Sequence, residues 1–304
     1  MNKPDLCVEF AGHKFRNPVT VASGTFGSGI EYASFIDLEV LGAVTTKGVS
    51  AQPWEGNPTP RVTETPSGMM NAIGLQNPGI DVFIDRDLAF LAEKDVPVIV
   101  NVCGHSIEDY EAVIERLADD DRVEMLEINV SCPNVKKGAI QFGTDPAMLE
   151  EVTTRCKSMA KKKPVIMKLT PNVTSIAEMA RAAEAGGADG ISLINTLTAM
   201  KIDIYKRSFV LANKTGGLSG PAIHPIAVRM VYEAAHAVKI PVIGMGGIAT
   251  YVDAIEMMMA GATMVGVGMM NFTEPDIVMH IIAGIEQYMN ETGTEHVSEL
   301  IGIL

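Results

Sequence analysis

The chain has 304 residues, 47% hydrophobic and 20% charged, enough for one large α/β barrel or two ordinary domains. A net charge of −13 argues against a nucleic-acid partner, because phosphate contacts need a basic face. No run of about 18 apolar residues occurs, which excludes a transmembrane helix, and residues 1–6 lack the apolar core of a signal peptide. Cys7, Cys103, Cys132 and Cys156 are dispersed without C-x-x-C spacing. Neither a zinc site nor an iron–sulfur cluster is therefore expected, and the expected compartment is a reducing cytoplasm.

Taken in order, Leu6 to Phe15 predicts two short strands joined at Gly12, a hairpin suited to plugging the bottom of a barrel. Pro18 to Gly24 is β-branched and ends in small residues, and Gly24 to Gly29 lets backbone approach a ligand. A short helix is expected over 31–38, then a strand over 42–48 with Thr45 and Lys47 on one face. The stretch 50–78 is an excursion rich in Pro, Gly and Asn, and its apolar residues predict an ordered hairpin over a site. Helical periodicity covers about 80–94.

From there strands and helices alternate regularly. Strands are expected over 96–102, 125–131, 164–170, 190–196, 241–248 and 264–269. Helices are expected over 106–118, opened by a Ser106 cap with Asp109, and over 146–160 and 175–185, the last stopped by Gly186 and Gly187. Further helices fall at about 221–238, 251–260, 274–289 and 295–304. A second excursion occupies 197–220. Eight strands with intervening helices fit a single (β/α)₈ barrel domain over 1–304, with both excursions over the C-terminal face. An open doubly wound sheet is the alternative, although no G-x-G-x-x-G follows the first strand.

The strand at 125–131 is the focus. Period-2 alternation puts Leu126, Ile128 and Val130 toward the helices and Glu127, Asn129 and Ser131 toward the interior. Cys132 follows at its C-terminal end, where α/β folds keep reactive groups. Most such thiols are merely small buried hydrophobes. Here the other strand ends bring Ser23, Lys47, Asn101, Asn129, Lys168, Asn195 and Thr196 to the same face, and buried polar groups must find partners. No multi-carboxylate cluster joins them, so no divalent metal site is expected. The Gly-rich turns at Gly246-Gly247 and Gly268-Met269 stand where barrels bind phosphate, and Gly220 adds backbone donors. Flavin mononucleotide suits such a site.

Asn129-Val-Ser-Cys-Pro-Asn134, Lys47 in its Thr-Thr-Lys-Gly setting, and Asn71-Ala-Ile-Gly-Leu-Gln-Asn-Pro-Gly79 resemble dihydroorotate dehydrogenase, as do 218–227 and 243–248. The resemblance spans nearly the whole chain. It implies an FMN-dependent barrel that oxidises dihydroorotate to orotate in pyrimidine biosynthesis. The wording of 68–78 and 214–221 is most similar to the NAD-linked branch. Its catalytic subunit passes electrons to a partner subunit carrying FAD and a [2Fe–2S] cluster, in a heterotetramer of two catalytic and two electron-transfer subunits around a catalytic homodimer. The fumarate-reducing homodimeric branch is the alternative.

By the resemblance, Cys132 is the catalytic base. Lys47, Asn71, Ala72, Ile73, Gly74, Leu75, Asn129, Asn195 and Thr196 bind substrate. Ser23, Lys47, Asn101, Asn129, Lys168, Ile194, Gly220, Gly246, Gly247, Gly268 and Met269 bind FMN. The loop 134–143 closes over the site. One expectation is independent of the family. Glu127 should point into the barrel and need a cationic partner within about 5 Å, Lys168 first among them, because an unpaired buried carboxylate is very costly.

Overall fold

The computed structural model describes residues 3–131 and 142–304. Cys132 and most of the loop after it lie outside the described residues. An antiparallel hairpin opens the fold, β1 (Val8–Phe10) and β2 (His13–Phe15), turning at Ala11 and Gly12. Phe10 and Phe15 are fully buried, and the Phe10 ring fills the space a Cβ on Gly190 would need. Gly190 starts a barrel strand, so the hairpin plugs the N-terminal end of the barrel.

The barrel strands are β3 (Val19–Val21), β4 (Val44–Thr45), β7 (Val98–Val102), β8 (Met125–Asn129), β9 (Val165–Lys168), β10 (Gly190–Leu193), β15 (Val242–Met245) and β16 (Met264–Val267). They form one parallel sheet in the order β3-β16-β15-β10-β9-β8-β7-β4. The two ends of the sheet meet. Gly42 N donates to Val19 O at 2.9 Å, and Thr20 Oγ1 lies 3.0 Å from Thr45 Oγ1 across the seam. This is the expected (β/α)₈ barrel. Both faces of its strands are buried, as parallel strands require.

The outer helical layer begins with α1 (Ile80–Val82), which runs through a six-residue π stretch at Phe83–Leu88 into α2 (Ala89–Leu91). It continues with α3 (Ile107–Leu117), α4 (Pro146–Met159), α5 (Ile176–Ala185), α6 (His224–Ala235), α7 (Tyr251–Met259) and α8 (Ile277–Thr292). Ser106 and Asp109 form the expected capping box at α3.

The helix expected over 31–38 is not there. Residues 30–36 make turns with mixed i+3 and i+4 bonds, and a 3₁₀ turn follows at Leu38–Val40. Tyr32 explains the departure. Its ring stacks on Phe26 at 4.1 Å and its hydroxyl donates to Thr25 O and Asn271 O, anchors that set the local path over helical propensity.

The first excursion folds into the expected hairpin, β5 (Val62–Thr65) and β6 (Gly68–Asn71). The second holds β11 (Leu197–Met200), the short pair β12 (Ile202–Asp203) and β13 (Ser208–Phe209), and β14 (Thr215–Ser219). The two excursions join in one antiparallel sheet, β11-β14-β6-β5, over the C-terminal face. β14 sits in its middle because Gly216 and Gly217 leave room: a Cβ on Gly217 would stand 1.9 Å from Thr196 Oγ1.

Cys156, on α4, is fully buried, and burial pushes its thiol up to about 12. Reactivity follows the thiolate, so native Cys156 stays unlabelled by iodoacetamide at neutral pH while exposed Cys7 is modified. Peptide mass mapping checks this. Labelled Cys156 in folded protein would contradict it.

Candidate active site

Two confluent cavities of about 420 and 370 Å³ open at the C-terminal strand ends, partly roofed by the four-stranded sheet. They share Asn71, Ile73, Leu75, Asn129, Asn195 and Thr196. The larger reaches down past Ser23, Lys47 and Lys168 to the turns at Gly246-Gly247 and Gly268-Met269. The smaller runs outward past Thr170, Asn172 and Gly143. Such a pair can hold two molecules face to face across the three shared asparagines.

The floor is an ionic cluster inside the barrel. Glu127 is 1% exposed, and its neighbour on the next strand is Lys168, with Nζ–Oε2 3.3 Å. This is the cationic partner expected from the alternation of β8. Asn101 Nδ2 donates to Glu127 Oε2 at 2.5 Å and Ser192 Oγ donates to Oε1 at 2.6 Å. Lys168 Nζ also donates to Ser23 Oγ at 3.0 Å. The carboxylate is thus fixed by three donors on three strands. The cluster in turn holds the Lys168 ammonium at the cavity wall.

Lys47 differs. It is half-buried at the end of β4, its Nζ close to Gly24, where an added Cβ would stand 3.6 Å away. Burial holds its ammonium below the usual lysine range; Cys103 opposes the shift and Arg61 adds to it. Among the described residues no carboxylate lies within ion-pair distance of Lys47. A desolvated cation with no carboxylate beside it among the described residues suits an anionic ligand.

The far end of the larger cavity is lined by bare backbone. Gly220 has φ +100°, and a Cβ there would meet Gly68 Cα at 2.6 Å. Gly247 has φ +70°, and a Cβ would meet Gly220 O and the first residue of α6 at 2.8 Å. Both positions require glycine. The result is a cradle of main-chain groups between β14, β15 and β16, of the kind that receives a phosphate.

The structure gathers most residues singled out from the sequence. Asn71, Ala72, Ile73, Gly74, Leu75, Asn129, Asn195 and Thr196 line the smaller cavity. Ser23, Lys47, Asn129, Lys168, Ile194, Gly220, Gly246, Gly247, Gly268 and Met269 line the larger. Asn101 lines neither: it is fully buried, and its tie to the site runs through Glu127. Cys132 lies outside the described residues. Sequence reasoning missed Ser192, Asn57 and Asn172. The alternation of β10 could have found Ser192, which shares the inward face with Ile194. Asn57 Nδ2 donates to Ala72 O at 2.9 Å and steadies the 72–75 wall. Asn172 donates to Thr196 O at 3.1 Å and accepts from Thr198 N. Neither Asn57 nor Asn172 lies in a periodic segment, so no local signal marks them.

Known proteins resemble this chain over nearly its whole length. The family model for dihydroorotate dehydrogenase matches residues 5–289. The chain belongs to the dihydroorotate dehydrogenase family. A relative from Lachnoclostridium phytofermentans, named dihydroorotate dehydrogenase B (NAD(+)), catalytic subunit, is 60% identical over 97% of this chain and 98% of its own length. One of the same name from Alkaliphilus oremlandii is 56% identical over the full length of both. The crystal structure of a dihydroorotate dehydrogenase from Eimeria tenella in complex with ferulenol superposes with a TM-score of 0.83. It covers 98% of this chain and 88% of that one at 22% identity, a likeness of fold. No helix among the described residues of this family member is long and apolar enough to cross a membrane.

Proposed function

We propose that this chain is the catalytic subunit of an NAD-linked dihydroorotate dehydrogenase. It oxidises dihydroorotate to orotate with FMN in the larger cavity and substrate in the smaller. The observation that carries this is the pair of confluent cavities, with a phosphate cradle at one end and the unneutralised Lys47 between three asparagines and the barrel floor. The glycine cradle fits the phosphate, and Ser23, Lys168 and Ile194 fit the wall of a planar ring. When bound, FMN supplies the hydride acceptor for substrate C6.

The chain's own residues do the rest. Asn71, Asn129, Asn195 and Thr196 offer amide and hydroxyl partners to the pyrimidine ring, whose edges alternate donors and acceptors. Lys47 meets the substrate carboxylate. Cys132 takes the C5 proton on Sγ as C6 loses its hydride. Glu127 and Asn101 act beneath them by holding Lys168 in place.

The onward electron acceptor would be a second subunit carrying FAD and a [2Fe–2S] cluster. The names of the relatives, each a catalytic subunit, favour this branch over the fumarate-reducing homodimer. An exposed apolar patch on the second excursion, Met200, Ile202, Ile204, Tyr205 and Phe209, suits a protein contact. The test uses the purified chain with dihydroorotate under anaerobic conditions. NAD⁺ should stay oxidised with the chain alone and be reduced once the flavin and iron–sulfur subunit is added. Reoxidation by fumarate, with no NAD⁺ reduction in the presence of that subunit, would move the chain to the homodimeric branch.

Lys47 adds a pH signature. A carboxylate ligand binds the protonated amine, so affinity falls as pH rises through the Lys47 titration, and burial puts that fall below the usual lysine range. Orotate titrations followed by flavin difference spectra from about pH 7 to about pH 10 should show it. Lys47→Arg, always charged, should flatten the curve. An equal fall in both proteins would place the titration elsewhere.

A further inference from the structure

His224, the first residue of α6, is not among the side chains assigned above, yet it is 8% exposed and packed beneath the glycine cradle. Its Nδ1 lies 2.9 Å from Gly246 O. A carbonyl oxygen can only accept, so Nδ1 carries the proton and donates. On its other side Nε2 faces Glu256 Oε2 at 3.2 Å and Asp253 Oδ1 at 3.7 Å, both on α7. Glu256 and Asp253 bound the ring on that side, and Asp253 is itself held by the amides of Ala249 and Thr250 in the capping box of α7.

The consequence lies in the peptide that joins Gly246 to Gly247. In a trans peptide the C=O and N–H point in opposite directions. Drawing Gly246 O toward His224, outside the cavity, turns the N–H of Gly247 the other way, toward the cavity that both glycines line. Two consecutive glycines, with φ +133° and +70°, have little intrinsic preference for one orientation of this peptide, so something outside the turn must set it. The Cβ and backbone N of His224 pack against Gly247, where an added Cβ would stand 2.8 Å from each.

We propose that His224 is a positioning residue for the phosphate end of the flavin: its Nδ1–H pins Gly246 O and thereby aims the Gly247 N–H at the phosphate. This rests on the FMN reading above and assigns to one side chain the orientation of that donor. The effect is specific to a ligand that carries the phosphate.

The test compares wild type, His224→Gln and His224→Asn as full-length apoproteins, titrated with FMN and with riboflavin and read by flavin fluorescence quenching. The asparagine amide nitrogen takes the place of Nδ1, whereas that of glutamine takes the place of Nε2. His224→Gln should weaken FMN binding by about 5- to 10-fold, the worth of one hydrogen bond, and leave riboflavin binding within about 2-fold. His224→Asn should keep most of the FMN affinity. Equal losses for FMN and riboflavin would reduce His224 to a structural residue and overturn the proposal. Unchanged FMN affinity in His224→Gln would overturn it too. Wild-type protein that binds neither flavin would sink the cofactor reading itself, a distinct outcome visible before any variant is measured.

Discussion

Replacing Cys132 with alanine lowers dihydroorotate turnover by about 10²- to 10⁴-fold, the contribution of a positioned general base. Substrate affinity changes little by comparison, since the contacts proposed for Lys47 and the three asparagines do not involve the thiol. Cys132→Ser leaves weak activity that rises with pH, because a hydroxyl gives up its proton far less readily than a thiol of pKa about 8.5. Stopped-flow reduction of the bound flavin by dihydroorotate isolates this step from later electron transfer. Wild-type rates in Cys132→Ala at neutral pH would end the assignment.

The second large effect concerns stability. Lys168→Met costs on the order of 3–5 kcal/mol, because it leaves the Glu127 carboxylate buried without its cation. The side chains are 4% and 1% exposed, so solvent cannot relieve the charge. Asn101 and Ser192 still donate to Glu127 and soften the loss. Glu127→Leu together with Lys168→Met costs less than the sum of the two single changes, since no charge is then stranded. Urea denaturation of the apoproteins measures all three. Additive losses would show that the pair does not act as a unit.

The barrel and its polar interior were legible because strand alternation and helix caps are local signals. Glu127 is the clearest case: its place on the inward face of β8, with the cost of burying a carboxylate, is enough to point to Lys168 on the next strand. Helix α3 was equally readable from Ser106 and Asp109. The strands β11 and β14 were not. Thr215-Gly-Gly-Leu-Ser219 has the composition of a loop, and it becomes a strand only because β6 and β11 flank it, one of them some 150 positions away in the chain. The turns at 30–36 failed for a similar reason, since Tyr32 answers to Thr25 and Asn271 and not to its neighbours. In the site, strand ends and Gly-rich turns carry local signals and the wall at 72–75 is carried by the family motif, whereas isolated loop asparagines carry neither. Ser23, Lys168 and Asn195 follow from strand register, whereas Asn57 and Asn172 owe their roles to contacts that no periodicity announces. His224 belongs with these, since the carbonyl it holds lies 22 residues further along the chain.

The measurement that bears most directly on the two-cavity account is the visible spectrum of the purified chain under anaerobic conditions, before and after one equivalent of dihydroorotate. The expected result is a yellow protein whose FMN absorption bleaches on mixing and returns when an electron acceptor is supplied. A protein that stays colourless after reconstitution with FMN, or a bound flavin that dihydroorotate leaves oxidised, would contradict it.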